Sequence, residues 1–160
     1  MAAPRHSAKI ATAADTLARI AQLPRPLVFT NGVFDVLHRG HVDYLERARA
    51  EGAALVVAVN SDASVRRLGK GDDRPLNSLD DRMAVLAALA AVDLVVPFDA
   101  DTPRDLIVAC RPDVLVKGGD YTAATTAGAA ETIAAGGRFA AIPFEFDRST
   151  TALLRRFRGA

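Results

Sequence analysis

The sequence predicts an α/β fold of the Rossmann-like, doubly wound type, a sandwich of helices around about five parallel strands. Three observations support this prediction: short apolar runs recur along the chain, segments with helical spacing lie between them, and the runs are apolar throughout. Strands that are apolar on both faces are typical of parallel sheets covered by helices on both sides. The chain has 160 residues, 50% of them hydrophobic and 24% charged, which indicates a single globular domain with a sizeable core.

Five apolar runs give the predicted strands in chain order. We expect them to be parallel, because helical segments between the runs return the chain to the same edge of the sheet. Ligands bind such sheets beyond the carboxyl ends of the strands, so a functional site is expected in the loops that follow the runs. The runs are LVFT (27–30), LVVAVN (55–60), DLVVPF (93–98), DVLVKG (113–118) and RFAAIPF (138–144).

The helical segments carry recognisable start and end signals. Ser78 followed by Asp81 resembles a capping box, and Pro103 stands at a helix start. Gly52 and Gly136 stand where two of the helices should end. The segments are HVDYLERARAEG (41–52), SDASVRR (61–67), SLDDRMAVLAALAAV (78–92), TPRDLIVAC (102–110), TTAGAAETIAAGG (125–137) and STTALLRRFR (149–158).

Residues 1–25 are predicted to form an N-terminal helical leader packed on the domain formed by residues 26–160. Ile10, Leu17 and Ile20 favour an amphipathic helix, and two prolines close the stretch. The stretch lacks the compact apolar segment of a signal peptide, so we expect it to stay with the domain.

Composition excludes several classes of partner. The net charge is +1, so no overall field favours nucleic acid or a membrane surface. No apolar run approaches the roughly 18 residues of a membrane-spanning helix. We therefore expect neither a nucleic acid nor a membrane partner. The single cysteine, Cys110, cannot form an internal disulfide and is typical of a protein of the reducing cytoplasm.

Two of the three histidines lie in TNGVFDVLHRGH (30–41), directly after the first predicted strand. We expect a helix to begin near Gly40, with His38 at its entrance and His41 in its first turn, both facing one space. Such a pair could bind a metal, pack in the core or contact a phosphate. A zinc site needs a third ligand, and core histidines are unusual in a glycine-containing loop. A phosphate site is favoured, because helix N-termini attract anions.

Positive charges follow the other predicted strands. The chain has only three lysines, and two of them, Lys70 in a glycine loop and Lys117 at a strand end, stand where a phosphate would need a compact charge. Arg74 lies near Lys70 and is a second candidate. The alternative for Lys70 and Arg74 is a solvated loop charge, and Lys117 could instead form an exposed pair with Asp120.

The stretch GVFDVLHRGH (32–41) resembles the G-x-F-D-x-x-H-x-G-H signature of the cytidylyltransferase-like nucleotidyltransferases, with every position present. The resemblance implies that residues 26–160 form a nucleotidyltransferase domain. It also implies that His38 and His41 stabilise the transition state at the α-phosphorus, with Lys70 as a third catalytic residue. Lys70 and Arg74 would bind substrate phosphate. The implied nucleotide-binding residues are Thr30, Asn31, Gly32, Phe34, Asp35, Gly40, Asn60, Arg82, Lys117, Gly118, Asp120, Ser149, Thr150 and Thr151.

Two of these assignments have simpler alternatives. STT (149–151) matches the family's second signature, in which hydroxyls and N–H groups hold the triphosphate, but Ser149 is also a natural helix N-cap. Arg82 matches a family arginine that faces phosphate, but an ion pair with a neighbouring aspartate is equally consistent with the sequence. Asp147 and Arg148 stand where many relatives have a small hydrophobic residue and a glycine, which leaves the role of Arg148 open.

Longer phrases, among them TNGVFDVLHRGHVDYLERAR and LVKGGDY, narrow the resemblance over about residues 26–157. They resemble the adenylyltransferases that act on D-glycero-β-D-manno-heptose 1-phosphate in lipopolysaccharide core synthesis. The resemblance implies that ATP and this sugar 1-phosphate give ADP-heptose and pyrophosphate. It implies Mg²⁺ held mainly by ATP phosphates and water rather than by protein side chains, a separate heptose kinase, and a homodimer. Two alternatives stay open: a cytidylyltransferase acting on glycerol 3-phosphate or another small phosphate, and a non-catalytic nucleotide-sensing module.

Overall fold

The sheet at the centre of the fold has five strands: β1 Leu27–Gly32, β2 Ala54–Asn60, β3 Leu94–Phe98, β4 Val114–Gly118 and β5 Arg138–Ile142. They lie in the order β3-β2-β1-β4-β5, and every neighbouring pair is parallel. The computed structural model describes residues 4–69 and 73–146. The predicted fold class is confirmed, and all five strands lie close to their predicted bounds.

The helices of the described residues cover both faces of the sheet. They are a 3-10 turn at Arg5–Lys9 and the α-helices α1 Thr16–Ile20, α2 Arg39–Arg49, α3 Asp62–Arg67, α4 Leu79–Ala87, α5 Arg104–Cys110 and α6 Ala129–Ala134. Apolar residues of α2 and α4 pack on one face, and those of α1, α5 and α6 pack on the other. Within residues 4–69 and 73–146, no helix has the length and apolar content that crossing a bilayer requires.

Helix ends follow the predicted signals in part. The Ser78 hydroxyl accepts a hydrogen bond from Asp81 N and caps α4, and Gly136 follows α6 with a φ of 91°. Gly52 does not cap α2, which ends at Arg49; glycine is needed there because a Cβ would lie 2.5 Å from Pro26 O.

The helix predicted over residues 125–137 is shorter than expected, because α6 begins only at Ala129. The hydroxyls of Thr125 and Thr126 donate to Thr122 O instead, which closes a turn before the helix. Gly128 then takes a φ of 84°, so α6 starts from a left-handed residue. Side-chain hydrogen bonds of threonine compete here with the helical pattern.

The first segment of the chain packs along the edge of β3. Ile10 forms a parallel bridge with Val95, and Ala11 N donates to Val95 O at 2.9 Å. Residues 4–25 form the 3-10 turn and α1 rather than one helix, because the Asp15 carboxylate accepts from Thr12 N at 2.6 Å and closes a turn between them. The segment thus covers part of an open sheet edge. A domain boundary after residue 25 stays a prediction.

The strand order reverses beside β1. The chain goes from β1 to β2 and β3 on one side, then crosses to β4 and β5 on the other. Connections leaving β1 and β4 therefore diverge, and they open a crevice at the carboxyl ends of these two strands.

Candidate active site

A cleft of about 730 Å³ opens at this crevice. Its walls come from the ends of β1, β2 and β4, from the first turns of α2, and from the loops that follow β3 and β4. The lining residues are Asn31, Gly32, Val33, Phe34, Asp35, His41, Tyr44, Asn60, Leu68, Arg74, Asp101, Thr102, Pro103, Lys117, Gly118, Tyr121, Thr125, Thr126, Ala127 and Phe144.

The turn from β1 into α2 is shaped by Gly32 and Phe34. Phe34 has a φ of 50°, a left-handed conformation that is uncommon for a residue with a side chain. Its ring folds back so closely that a Cβ on Gly32 would lie 2.9 Å from Phe34 Cε2. The ring then meets His41 edge to face, with the centroids 5.4 Å apart. Glycine and phenylalanine of the signature therefore support the second histidine.

The two histidines stack on each other at the entrance of α2. His38 is the N-cap, and its Nδ1 accepts from Gly40 N at 3.1 Å. The rings of His38 and His41 lie 3.9 Å apart between centroids, with a 30° angle between their planes. A Cβ on Gly40 would come within 3.0 Å of the His38 ring, so glycine gives this ring its space.

His41 is neutral at neutral pH. Burial of the ring lowers the pKa of His41 from 6.5 to about 4, and the charge of the neighbouring His38 makes a smaller contribution in the same direction. Its Nδ1 is buried without a hydrogen-bond partner among the described residues, and Asn31 Oδ1 is in the same state. Buried polar atoms are normally paired. The two atoms therefore mark a place where the cleft is prepared for a polar ligand.

Asp35 anchors the loop that carries Arg74. The Asp35 carboxylate pairs with Arg74 Nε at 2.6 Å and accepts from Leu76 N at 2.9 Å and Asn77 N at 2.9 Å. Burial raises the pKa of Asp35, but the N–H groups of Asn77 and Leu76 and the Arg74 guanidinium lower it by more, so it lies below its ordinary value.

Arg82 lies beneath the cleft rather than in it. Its side chain is fully buried and donates to Val33 O at 2.8 Å, to Asn77 O at 3.1 Å and to Asp62 Oδ1 at 2.7 Å. The partner is thus Asp62, in the first turn of α3, and not an aspartate next to Arg82 in the sequence. The structure does not bring Arg82 to the proposed nucleotide site.

The end of β4 places a lysine in the wall of the cleft. Lys117 Nζ donates to Asn31 O at 3.3 Å and lies 5.4 Å from the centre of the Tyr121 ring. Gly118 lies against Phe144, and a Cβ there would overlap the aromatic ring. Asp120, in contrast, is exposed and does not line the cleft.

Thr30 and Asn60 take part in bonds within the protein. Thr30 is fully buried, with Oγ1 2.6 Å from the hydroxyl of Tyr44, which also donates to Val116 O at 3.4 Å. Burial raises the pKa of Tyr44. Asn60 lines the cleft and donates through Nδ2 to Ser64 Oγ at 3.0 Å. Thr30 therefore links β1, α2 and β4, while Asn60 keeps a place in the cleft wall.

Of the fourteen predicted site residues that the structure describes, nine line the cleft, and Thr30, His38, Gly40, Arg82 and Asp120 do not. Lys70, Ser149, Thr150, Thr151 and Arg148 lie outside the described residues. Three aromatic residues that were not predicted as site residues also line the cleft: Tyr44, Tyr121 and Phe144. The signal available for two of them was position, because Tyr121 ends LVKGGDY and Phe144 ends the last apolar run.

No cluster of three or more histidine, cysteine, aspartate or glutamate side chains suited to a metal occurs within residues 4–69 and 73–146.

A family model described as cytidylyltransferase-like matches residues 29–154. The chain belongs to this family. The match includes the whole signature and confirms the family inferred from the sequence.

Relatives of this cytidylyltransferase-like chain include curated proteins of high identity. The D-beta-D-heptose 1-phosphate adenylyltransferase of Bordetella bronchiseptica is 59% identical, over 99% of each chain. The bifunctional protein HldE of Shewanella sp. strain ANA-3 is 59% identical over 81% of this chain, which spans only 27% of that protein.

Solved structures show the same architecture. The lipopolysaccharide core biosynthesis protein of Thermoplasma volcanium superposes with a TM-score of 0.62 at 27% identity, over 76% of this chain and 98% of that one. Pantoate-beta-alanine ligase of Francisella tularensis also gives a TM-score of 0.62, over 89% of this chain and 68% of that one. The second likeness, at 15% identity, supports the fold alone.

Proposed function

We propose that the protein transfers AMP from ATP to D-glycero-β-D-manno-heptose 1-phosphate and releases ADP-heptose and pyrophosphate. The observation that carries this proposal is the neutral His41 stacked on His38, 3.9 Å between ring centroids, at a helix N-terminus that opens into the cleft. The acceptor and the base follow from the relative in Bordetella bronchiseptica, which is 59% identical over 99% of both chains.

The reaction needs positioning and charge stabilisation more than proton transfer. A phosphate oxygen of the sugar 1-phosphate attacks the α-phosphorus in line, and a new P–O bond forms. The bond from the α-phosphorus to the bridging oxygen of the β-phosphate breaks, and pyrophosphate leaves with the electron pair. The nucleophile is already ionised at neutral pH, so no general base is required.

The residues of the cleft supply donors where charge grows. A neutral imidazole can donate one hydrogen bond, and the N-terminus of α2 adds the positive end of an eleven-residue helix. Lys117 and Arg74 bring positive charge from the other walls. By their match to the family, Lys70 and the hydroxyls of residues 149–151 would complete the triphosphate site.

ATP is expected to enter with Mg²⁺ as part of the substrate. The carboxylates that border the cleft in the described residues are Asp35 and Asp101, and each pairs with an arginine, at 2.6 Å and 2.8 Å. Such engaged carboxylates suit an ion held by phosphate oxygens and water, which neutralises charge on the triphosphate.

The wider setting of the reaction belongs to the same proposal. We expect a separate heptose kinase to supply the sugar 1-phosphate, and ADP-heptose to enter lipopolysaccharide core synthesis. ATP supply and the single thiol of Cys110 favour the cytoplasm as the compartment. We also expect a homodimer, which analytical ultracentrifugation tests. We expect neither a nucleic acid nor a membrane as a partner.

Pyrophosphate release tests the proposal directly. The purified protein is incubated with ATP or CTP and with heptose 1-phosphate, glucose 1-phosphate or glycerol 3-phosphate, and the nucleotide product is identified by mass spectrometry. We expect ADP-heptose from ATP and the heptose 1-phosphate. Product from CTP and glycerol 3-phosphate would instead support the cytidylyltransferase alternative. Tight ATP binding without pyrophosphate release for any acceptor would indicate a nucleotide-sensing module.

A further inference from the structure

Asp35 belongs to the signature and borders the cleft, but its carboxylate faces the protein. The side chain is 0% exposed. Its two oxygens already accept from Arg74 Nε at 2.6 Å, from Leu76 N at 2.9 Å and from Asn77 N at 2.9 Å. A direct contact with a nucleotide would break several of these bonds and leave buried donors unpaired, which is unfavourable.

Arg74 is the partner of Asp35 that reaches the ligand space. Its side chain is 9% exposed and lines the cleft. A guanidinium is planar, so a bond to Nε fixes the plane in which the terminal nitrogens lie. Within residues 4–69 and 73–146 the hydrogen bond of the Arg74 side chain is the one from Nε to Asp35, so the terminal nitrogens can donate to an anion. Arginine bound in this way suits the two oxygens of a phosphate.

We propose that Asp35 is a positioning residue that acts on the reaction through Arg74 and touches no substrate atom, while Arg74 binds the phosphate of the sugar 1-phosphate. This inference rests on the function proposed above. It differs from the role that the family resemblance implies for Asp35, namely direct contact with the nucleotide. The Asp35 carboxylate stays ionised at neutral pH, because the net effect of its partners is to lower its pKa.

A matched control exists at the opposite end of the sheet. Asp93 forms an ion pair with Arg49 Nε at 2.8 Å and accepts from Leu55 N at 2.8 Å, so it has an arginine and one backbone N–H where Asp35 has an arginine and two. Neither Asp93 nor Arg49 lines the cleft. Asp93→Asn therefore removes an arginine-paired carboxylate that is 33% exposed, without a change in the cleft, and shows what losing a partly exposed pair does to the kinetics.

A double-mutant cycle tests the proposal. Wild type, Asp35→Asn, Arg74→Ala and the double variant are assayed for kcat and for KM of both substrates, with Asp93→Asn as control. We expect each single substitution at Asp35 or Arg74 to raise KM for the heptose 1-phosphate about 10- to 100-fold. KM for ATP should stay within a factor of about two. The double variant should lose no more than Arg74→Ala alone.

Independent effects would overturn the inference. If Asp35→Asn lowers kcat/KM by the same factor with and without Arg74, the carboxylate acts by itself. Equal losses of apparent kcat in Asp35→Asn and Asp93→Asn, with both KM values unchanged, would also contradict it, because a smaller folded fraction lowers the apparent kcat and leaves KM as it was. If wild type releases no pyrophosphate at all, the proposed function fails. Crystal structures of wild type and Asp35→Asn then decide the inference, since an unmoved Arg74 guanidinium would refute it.

Chemical rescue covers the case in which Asp35→Asn does not fold. The Arg74→Ala variant keeps Asp35 and its backbone contacts, and ethylguanidinium added to the assay can occupy the vacated place beside the carboxylate. We expect it to recover about tenfold in kcat/KM. Ethylamine, which is positively charged but lacks the planar guanidinium group, serves as the control. Absence of rescue by ethylguanidinium, or equal rescue by ethylamine, would count against an orienting role of Asp35.

Discussion

The two ends of the sheet use one pairing motif in different surroundings. Where the strands begin, Asp93 binds Arg49 and a backbone N–H, and the two side chains are 33% and 35% exposed. Where the strands finish, Asp35 binds Arg74 and backbone N–H groups, and the side chains are 0% and 9% exposed. The same chemistry therefore joins strands near the surface at one end, and forms a buried part of the cleft wall at the other.

This difference separates groups that hold the fold from groups that serve a ligand. An exposed ion pair contributes about 0–1 kcal/mol, whereas a buried one must offset a large desolvation cost. Within the described residues, the unpaired buried side-chain atoms are His41 Nδ1 and Asn31 Oδ1, and both residues line the cleft. The fold thus accepts desolvated and unpaired groups at the end where strands finish, as expected of a site prepared for a charged substrate.

Among the substitutions considered, replacing His38 or His41 at the cleft end of the sheet should have the largest effect on turnover. We expect His38→Ala and His41→Ala each to lower kcat by about 10²–10³, as observed when a donor to a developing anion is removed. His6→Ala, in the 3-10 turn, is the matched control and should leave kcat unchanged. The measurement is steady-state pyrophosphate release, with circular dichroism as the check on folding. Near-normal turnover by both folded variants would remove the histidine pair from the mechanism.

Two glycines with no room for a side chain, Gly52 and Gly118, allow the two ends of the sheet to be compared by steric substitutions. A Cβ at Gly52 would lie 2.5 Å from the backbone oxygen of Pro26, and one at Gly118 would overlap the Phe144 ring. Backbone yields less than an exposed ring, so Gly52→Ala should lower the free energy of unfolding by about 1–3 kcal/mol and keep its KM values. Gly118→Ala should displace Phe144, keep more stability and raise KM.

Urea unfolding and steady-state kinetics of the two glycine variants provide the measurement. The comparison between the two ends predicts a crossed result, with stability lost at Gly52 and substrate binding lost at Gly118. If both substitutions reduce stability equally and neither changes KM, the wall formed by Phe144 has no part in binding.

The two lysines of the described residues allow a charge inside the cleft to be compared with one outside it. Lys117 Nζ donates to Asn31 O at 3.3 Å. Lys9 Nζ donates to Leu89 O at 3.1 Å, and neither Lys9 nor Leu89 lines the cleft. Lys117→Ala should raise KM for ATP or for the sugar phosphate about tenfold, because a charge-assisted contact to phosphate is lost. Lys9→Ala should change neither KM nor kcat. Identical kinetics of the two variants would refute a phosphate-binding role of Lys117.

Sequence patterns predicted the parts of the fold that depend on local order. Continuous apolar runs located all five strands. The reason is clearest for β2, which is buried at every position and so has no polar residue inside the run, whereas the edge strand β5 is partly exposed. The spacing of His38 and His41 placed both at the start of α2, which the structure bears out. The helix expected from Thr125 begins later, because threonine hydroxyls bond back to the chain. That competition depends on backbone geometry and leaves no mark in the spacing.

The cleft was harder to predict where partners are far apart in the chain. Arg82 matches a phosphate-facing position, but its guanidinium is bound by Asp62 and by two carbonyl groups. Asp35 is similarly bound by residues 74–77, about forty positions later. Spacing within one segment cannot reveal which distant loop will fill the hydrogen bonds of a buried charge. The signature therefore predicted residues that border the cleft, while packing decides which of them line it.

Acid provides the mildest test of the difference between the two ends. Burial and His38 hold the pKa of His41 at about 4, whereas an unfolded histidine titrates near 6.5. Between these values His41 is protonated in the unfolded chain and neutral in the folded protein. The free energy of unfolding therefore falls as the pH falls from about 6.5 towards 4. At pH 5 the loss should be roughly 1 kcal/mol, allowing for partial exposure of the ring.

Urea unfolding of wild type and His41→Gln at pH 7 and pH 5 measures this contribution. Carboxylates common to both proteins cancel in the comparison, so wild type should lose more stability than the variant. ATP should reduce the loss in wild type, because a phosphate beside the ring favours its protonated form and raises its pKa. Equal pH dependence of the two proteins would show that the His41 ring is not held neutral by its surroundings. The unpaired nitrogen would then no longer distinguish this end of the sheet from the other.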